Sequence, residues 1–117
     1  MDIKTIITPS DELVQFVMGG NVIGVDQIDE KTFEYYYTTA NHNDGLWIDE
    51  NNFHQFASKA KEKIYREFRI RLRSLIDDVD WICEEATCNQ DRRQWFARTE
   101  PEAIIEACEE ILKENTK

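Results

Sequence analysis

Between Phe53 and Leu75 apolar residues recur at steps of three and four, and few other segments of a chain this short leave so little choice of conformation. Phe53, Ala57, Ala60, Ile64, Phe68, Leu72 and Leu75 fall on one side of a helical wheel. The spacing predicts a helix of some 25 to 30 residues starting at Asp49, the longest element of the chain. Lys59, Lys63, Arg66 and Arg73 lie roughly opposite the apolar series. Arg71 does not fit, because a straight helix places it near the apolar side, which calls for a buried ion pair or a bend near residue 70.

Ahead of that helix the character is different. Thr8-Pro9-Ser10-Asp11 reads as a helix start, with Thr8 as cap, Pro9 in the first turn and Asp11 at the positive end of the dipole. Leu13, Val14, Phe16, Val17 and Met18 supply its buried side, and Gly19-Gly20 ends it. Ile3 to Ile7 before it is a short strand or an apolar lead-in. Val22-Ile23-Gly24-Val25 and Thr32 to Thr39 are strand candidates joined by the polar Asp29-Glu30-Lys31, and Leu46-Trp47-Ile48 is a third, short strand. Period two puts Phe33, Tyr35 and Tyr37 on one face and Glu34, Tyr36 and Thr38 on the other.

Beyond the long helix, Asp77-Asp78-Val79-Asp80 suits a new helix start, followed by a helix through Trp81, Ile82 and Glu85 that ends near Asn89. Arg92 to Arg98 is a short basic segment around Trp95 and Phe96. Thr99-Glu100-Pro101-Glu102 repeats the capping signature. Ile104, Ile105, Cys108, Ile111 and Leu112 then form the apolar side of a last helix. The expected architecture is α+β: a small antiparallel sheet of two or three strands packed on one long helix plus two or three shorter helices. No internal repeat or linker divides residues 1–117, so a single domain is expected.

The 117 residues hold 3 Trp, 4 Tyr and 6 Phe, enough for one compact core. No stretch approaches the ~20 apolar residues of a membrane span. Met1-Asp2-Ile3-Lys4 lacks the regions of a signal peptide, which points to the cytoplasm. Three cysteines, Cys83, Cys88 and Cys108, fit reduced thiols better than a disulfide scaffold.

Charge sorts the functional classes. The net charge is −10 and it is laid out in blocks: −8 over residues 1–50, +5 over 51–76, −6 over 77–91, +3 over 92–98 and −4 over 99–117. A protein whose whole surface seeks nucleic acid or anionic lipid would not carry this balance. The acidic run Asp77, Asp78, Asp80, Glu84 and Glu85 fits a surface that imitates nucleic-acid phosphates or meets a basic protein. A divalent metal site for hydrolysis is the competing use of the same carboxylates, and dipole-stabilising helix-start acids are the plain one. Three successive tyrosines cannot all face one core, so Tyr36 or its neighbours Tyr35 and Tyr37, with Trp47, are candidates for a protein interface. The basic stripe of Lys59, Lys63, Arg66 and Arg73 offers phosphate contacts, with Trp95, Arg92 and Arg93 for stacking, but with a net charge of −10 a solvated helix face paired to neighbouring acids is the plainer reading.

Catalytic motifs are missing: no Gly-rich phosphate loop, no nucleophile elbow and no zinc-protease helix. His42 beside Asp44 is the one candidate general base. The spacing of His42, His54 and the three cysteines does not require zinc, and no motif asks for a cofactor. The size and acidity resemble those of small phage and mobile-element proteins, a likeness of composition and not of motif. The expectation is a non-catalytic protein that binds a macromolecular partner as an inhibitor, immunity factor or adaptor, competing with nucleic acid for a basic cleft. The alternatives are nucleic-acid binding by the basic helix face and metal-dependent hydrolysis. Blocks of opposite sign also allow a homodimer.

Overall fold

A computed structural model describes residues 9–29, 32–40, 42–49, 51–78, 80–86 and 93–115. The element order is α1 (Asp11–Met18), β1 (Asn21–Asp29), β2 (Thr32–Thr38), β3 (Asn43–Ile48), α2 (Phe53–Phe68), β4 (Leu72–Asp77), β5 (Asp80–Glu85), β6 (Gln94–Ala97) and α3 (Glu100–Asn115). The fold is α+β. Among the described residues a helix followed by a three-stranded antiparallel meander occurs twice, and α3 closes the series. The sequence shows no repeat, so the doubling lies in the order of elements alone.

The α1 start differs from the expected one. Its cap is Ser10, whose Oγ accepts from the Leu13 N–H at 3.1 Å, while Thr8 lies outside the described residues, as does the Ile3–Ile7 segment. The Ser10 hydroxyl and N–H both donate to the Glu109 carboxylate on α3, at 2.5 and 2.7 Å. A cap of this kind contributes about 1 kcal/mol, and a charged acceptor adds to it. Gly19 ends α1 in the left-handed region at φ 79°, and Gly20 must stay a glycine because a Cβ there would lie 2.3 Å from the Thr38 carbonyl oxygen.

In the first sheet the order is β1-β2-β3, with Phe33 opposite Ile48 and Tyr35 opposite Leu46. The expected alternation holds: Phe33, Tyr35 and Tyr37 are buried, and Tyr36 points out. Strand β1 carries irregularities at Ile23 and Ile28, where the pairing with β2 slips by a residue.

The long helix stops at Phe68, seven residues short of Leu75. Arg69 takes a left-handed conformation (φ 60°) and its N–H donates to the Tyr65 carbonyl, so the chain bends near residue 70. Leu72 stays in the core as the first residue of β4, but Leu75 turns to the opposite face and is exposed. The expected helix end near Asn89 falls outside the described residues, and Trp81, Ile82 and Glu85, expected on that helix, lie instead in strand β5. Its consecutive buried residues Ile82, Cys83 and Glu84 serve both faces of a sheet. Within the Arg92–Arg98 segment, Gln94 to Ala97 is the third strand of this second sheet, ordered β4-β5-β6.

Helix α3 starts as expected, with Thr99 and Glu102 hydrogen-bonded as a capping pair. It buries Ala103, Ile104, Ile105, Ala107, Cys108, Ile111 and Leu112 against α2 and the second sheet. Among the described residues one continuous cluster joins the inner faces of α1, α2, α3 and the two sheets, each large side chain contributing ~2 kcal/mol by leaving water. No helix among the described residues is long and apolar enough to cross a membrane.

Candidate functional site

The inward tyrosines are structural. Tyr35 is fully buried and its hydroxyl donates to the Pro9 carbonyl at 2.5 Å, with burial driving its phenol pKa far upward. It therefore leaves the set of interface candidates, because strand alternation fixes it in the core. Burial also raises the Tyr37 phenol, with Asp44 adding to the effect.

Tyr36 has the opposite environment. It lies on the outer face in a cross-strand row between Gly24 and Gly45, so no side chain flanks its ring along that row. Its hydroxyl is 2.9 Å from a Glu34 oxygen and 3.1 Å from an Asp26 oxygen. One proton thus serves two carboxylate acceptors, and these hydrogen bonds, Glu34 first, push the phenol pKa up to about 12. Trp47 pairs with Glu34 in the next row and is 49% exposed. Its backbone is fixed by Asn52, whose amide donates to the Trp47 carbonyl at 2.9 Å. Ile23, pushed out by the β1 irregularity, and Ile28 add exposed apolar surface on the same strand. Two aromatic rings and two carboxylates thus share one sheet face. Asp26 and Glu34 were not singled out in the sequence, although the alternation that exposes Tyr36 already placed Glu34 beside it.

The acidic run 77–85 is divided by the second sheet. Asp77 and Asp80 pair across the β4–β5 turn, with Asp78 exposed and left-handed at φ 55°. Glu84 is only 3% exposed: Arg73 on β4 grips one oxygen through Nη2 and Nε at 2.5 and 2.7 Å, and Gln94 on β6 donates to the other at 2.9 Å. Glu85 is held by Arg93 in a two-pronged pair at 2.8 and 3.2 Å, which lowers its carboxyl pKa. Arg93 also reaches Glu114 and Glu110 on α3 and lies over the Trp95 ring, and Trp95 Nε1 donates to Glu110. Glu84 and Glu85 are therefore committed to internal pairs, which corrects their expected place on an open acidic surface; the reason is that 80–85 is a strand with partners on both sides. Beside the Arg73–Glu84–Gln94 row, Leu75, Ile82 and Phe96 form a second cross-strand row, with Leu75 and Phe96 exposed.

The basic stripe is likewise broken. Arg73 is not on the helix, because α2 has already ended, and it is spent on Glu84. Lys63 pairs with Glu67 at 3.9 Å and sits over the Phe16 ring, and Arg66 pairs with Glu62 at 3.9 Å. Lys59 is exposed on the same helix. Arg92, invoked for stacking, and Cys88 lie outside the described residues.

His42 is 3.6 Å from Asp44 in an open loop, and His54 is exposed on α2. Cys83 and Cys108 are free and buried; burial pushes the Cys83 thiol up to about 12 and the Cys108 thiol further, so neither is a ready nucleophile. Among the described residues no group of three or more His, Cys, Asp or Glu is placed to hold a metal ion. Compared with family models, curated proteins and solved structures, the chain matches none.

Proposed function

We propose that the chain acts by binding a protein partner with a basic surface, through the outer face of the first sheet. The observation that carries this reading is the uncovered group of Tyr36 and Trp47 beside Asp26 and Glu34. Exposed tyrosine and tryptophan bury large area at low entropic cost, and they are common anchors of interfaces. Carboxylates around them favour Lys and Arg on the partner, and a net charge of −10 steers such a partner in. An inhibitor, immunity factor or adaptor that occupies a basic cleft in place of nucleic acid is the class this chemistry suits. The free, buried thiols support a reducing compartment such as the cytoplasm.

The test is affinity capture from native lysate at low and high salt, with three versions of the protein. The wild type should retain a specific partner that salt weakens. Tyr36→Ala with Trp47→Ala should lose it, and Asp26→Asn with Glu34→Gln should weaken it mainly at low salt. Retention by the aromatic variant, with loss instead in Asp77→Asn/Asp78→Asn/Asp80→Asn, would move the contact to the β4–β5 turn and overturn the assignment of the sheet face.

A further inference from the structure

The bend that ends α2 does more than redirect the chain. Arg69, left-handed, and Arg71, just before β4, both swing back over Tyr65: their guanidinium carbons stand 5.8 and 5.1 Å from its ring centroid. An Arg71 Nη2 lies 3.3 Å from the Tyr65 hydroxyl. Beside them opens a cleft of about 280 Å³ lined by Ser58, Lys61, Glu62, Tyr65, Arg71 and Leu72.

The other cations of this region are already engaged: Lys63 with Glu67, Arg66 with Glu62, and Arg73 with Glu84. Among the described residues Lys61, Arg69 and Arg71 have no carboxylate partner. The one acid on the rim, Glu62, faces Arg66 at 3.9 Å. A local excess of positive charge therefore collects in a chain that is otherwise strongly negative. The Tyr65 phenol reports it, because Arg71 and, less strongly, Arg69 lower its pKa.

We propose that this cleft binds a compact oxyanion of the phosphate-monoester class, with Arg71 and Lys61 as charge partners and the hydroxyls of Tyr65 and Ser58 as further donors. A guanidinium fork matches phosphate oxygens, and an ammonium supplies a point charge beside it. The cleft is the size of one phosphate head with a small substituent, and a net charge of −10 disfavours a long polyanion over a compact one. This site is separate from the sheet face and does not depend on it.

The experiment is a titration of the ¹⁵N-labelled full chain with phenyl phosphate at low ionic strength, with inorganic phosphate and a single-stranded oligonucleotide as parallel arms. The expected result is saturable one-to-one binding of phenyl phosphate, with shifts centred on residues 58–72. Arg71→Gln and Lys61→Met should each weaken it about tenfold. Lys59→Met, a cation removed from the same helix but not from the cleft, should leave it unchanged. Three results would overturn the proposal: no saturation by phenyl phosphate, equal loss in Lys59→Met, or an oligonucleotide that binds the same residues more tightly than phenyl phosphate. Inorganic phosphate binding as tightly as phenyl phosphate would count against the monoester as its ligand.

Discussion

Replacing Arg73 by Met tests how far Glu84 has been taken out of water. The Glu84 side chain is 4% exposed and that of Arg73 is 51% exposed, with two short contacts between them. Removing one partner of a fully buried ion pair costs about 3–5 kcal/mol. A fully exposed pair contributes about 0–1 kcal/mol. With one member buried and the other half in solvent, Arg73→Met should cost about 2–3 kcal/mol, since the carboxylate keeps the Gln94 hydrogen bond but loses both short contacts to the guanidinium. Glu84→Met should cost about 1 kcal/mol, because Arg73 can turn to water. The double variant should stay within about 1.5 kcal/mol of wild type, giving a coupling near 2 kcal/mol. Urea unfolding with an unchanged m-value reads these differences. The Arg73→Met loss corresponds to a fall in Tm of roughly 10 °C. An Arg73→Met cost under about 0.5 kcal/mol with no coupling would mean that Glu84 is hydrated, and the acidic run would again be a surface.

Gly20→Ala should destabilise by about 3 kcal/mol, because the new methyl meets a backbone carbonyl that cannot yield, whereas Gly24→Ala meets only the Tyr36 ring at 3.8 Å and should stay within about 1 kcal/mol; equal effects in thermal melts would refute the close approach. Alkaline pH should weaken the fold through the buried thiols. Their pKa values are raised on folding, so the native state holds these protons more tightly than the unfolded chain. Stability is thus unaffected below the unfolded thiol pKa of about 8.5, and for Cys83 it falls by ~1.4 kcal/mol per pH unit from there towards 12. Cys108 adds to the slope, Cys83→Ala should reduce it, and a flat urea midpoint between about pH 9 and 10 would contradict the burial of both.

The first half of the chain was legible because its signals agree. Gly19-Gly20 marks a stop, β-branched and aromatic runs follow, and period two assigns Tyr35 inward and Tyr36 outward. The second half misled at Arg69. A left-handed helix end is usually announced by Gly or Asn, and here an arginine fills it, so nothing in the sequence marks the stop. Leu72 and Leu75 then continue the helical spacing by coincidence, one facing the core and one facing out. The misplaced Arg71 was the surviving trace of the bend. Strand β5 gave no alternation because Glu84 is buried by ion pairing on the face opposite Cys83, and burial through a partner on another strand leaves no local pattern. The cluster of Asp26, Glu34 and Tyr36 depends on the register of a hairpin, which composition does not specify.

Among the described residues every strand in both sheets pairs only with its neighbour in sequence, and just two residues separate β1 from β2 and β4 from β5. Loops that short close within microseconds at little entropic cost, so each meander can organise without waiting for the other. Docking of α3, which brings Glu109 back to Ser10 across 99 positions, closes the contacts of highest sequence separation and is expected to come last. That order would leave the sheets formed early with their inner faces open, so the expected result is a refolding yield that falls as protein concentration rises, even for variants of unchanged stability.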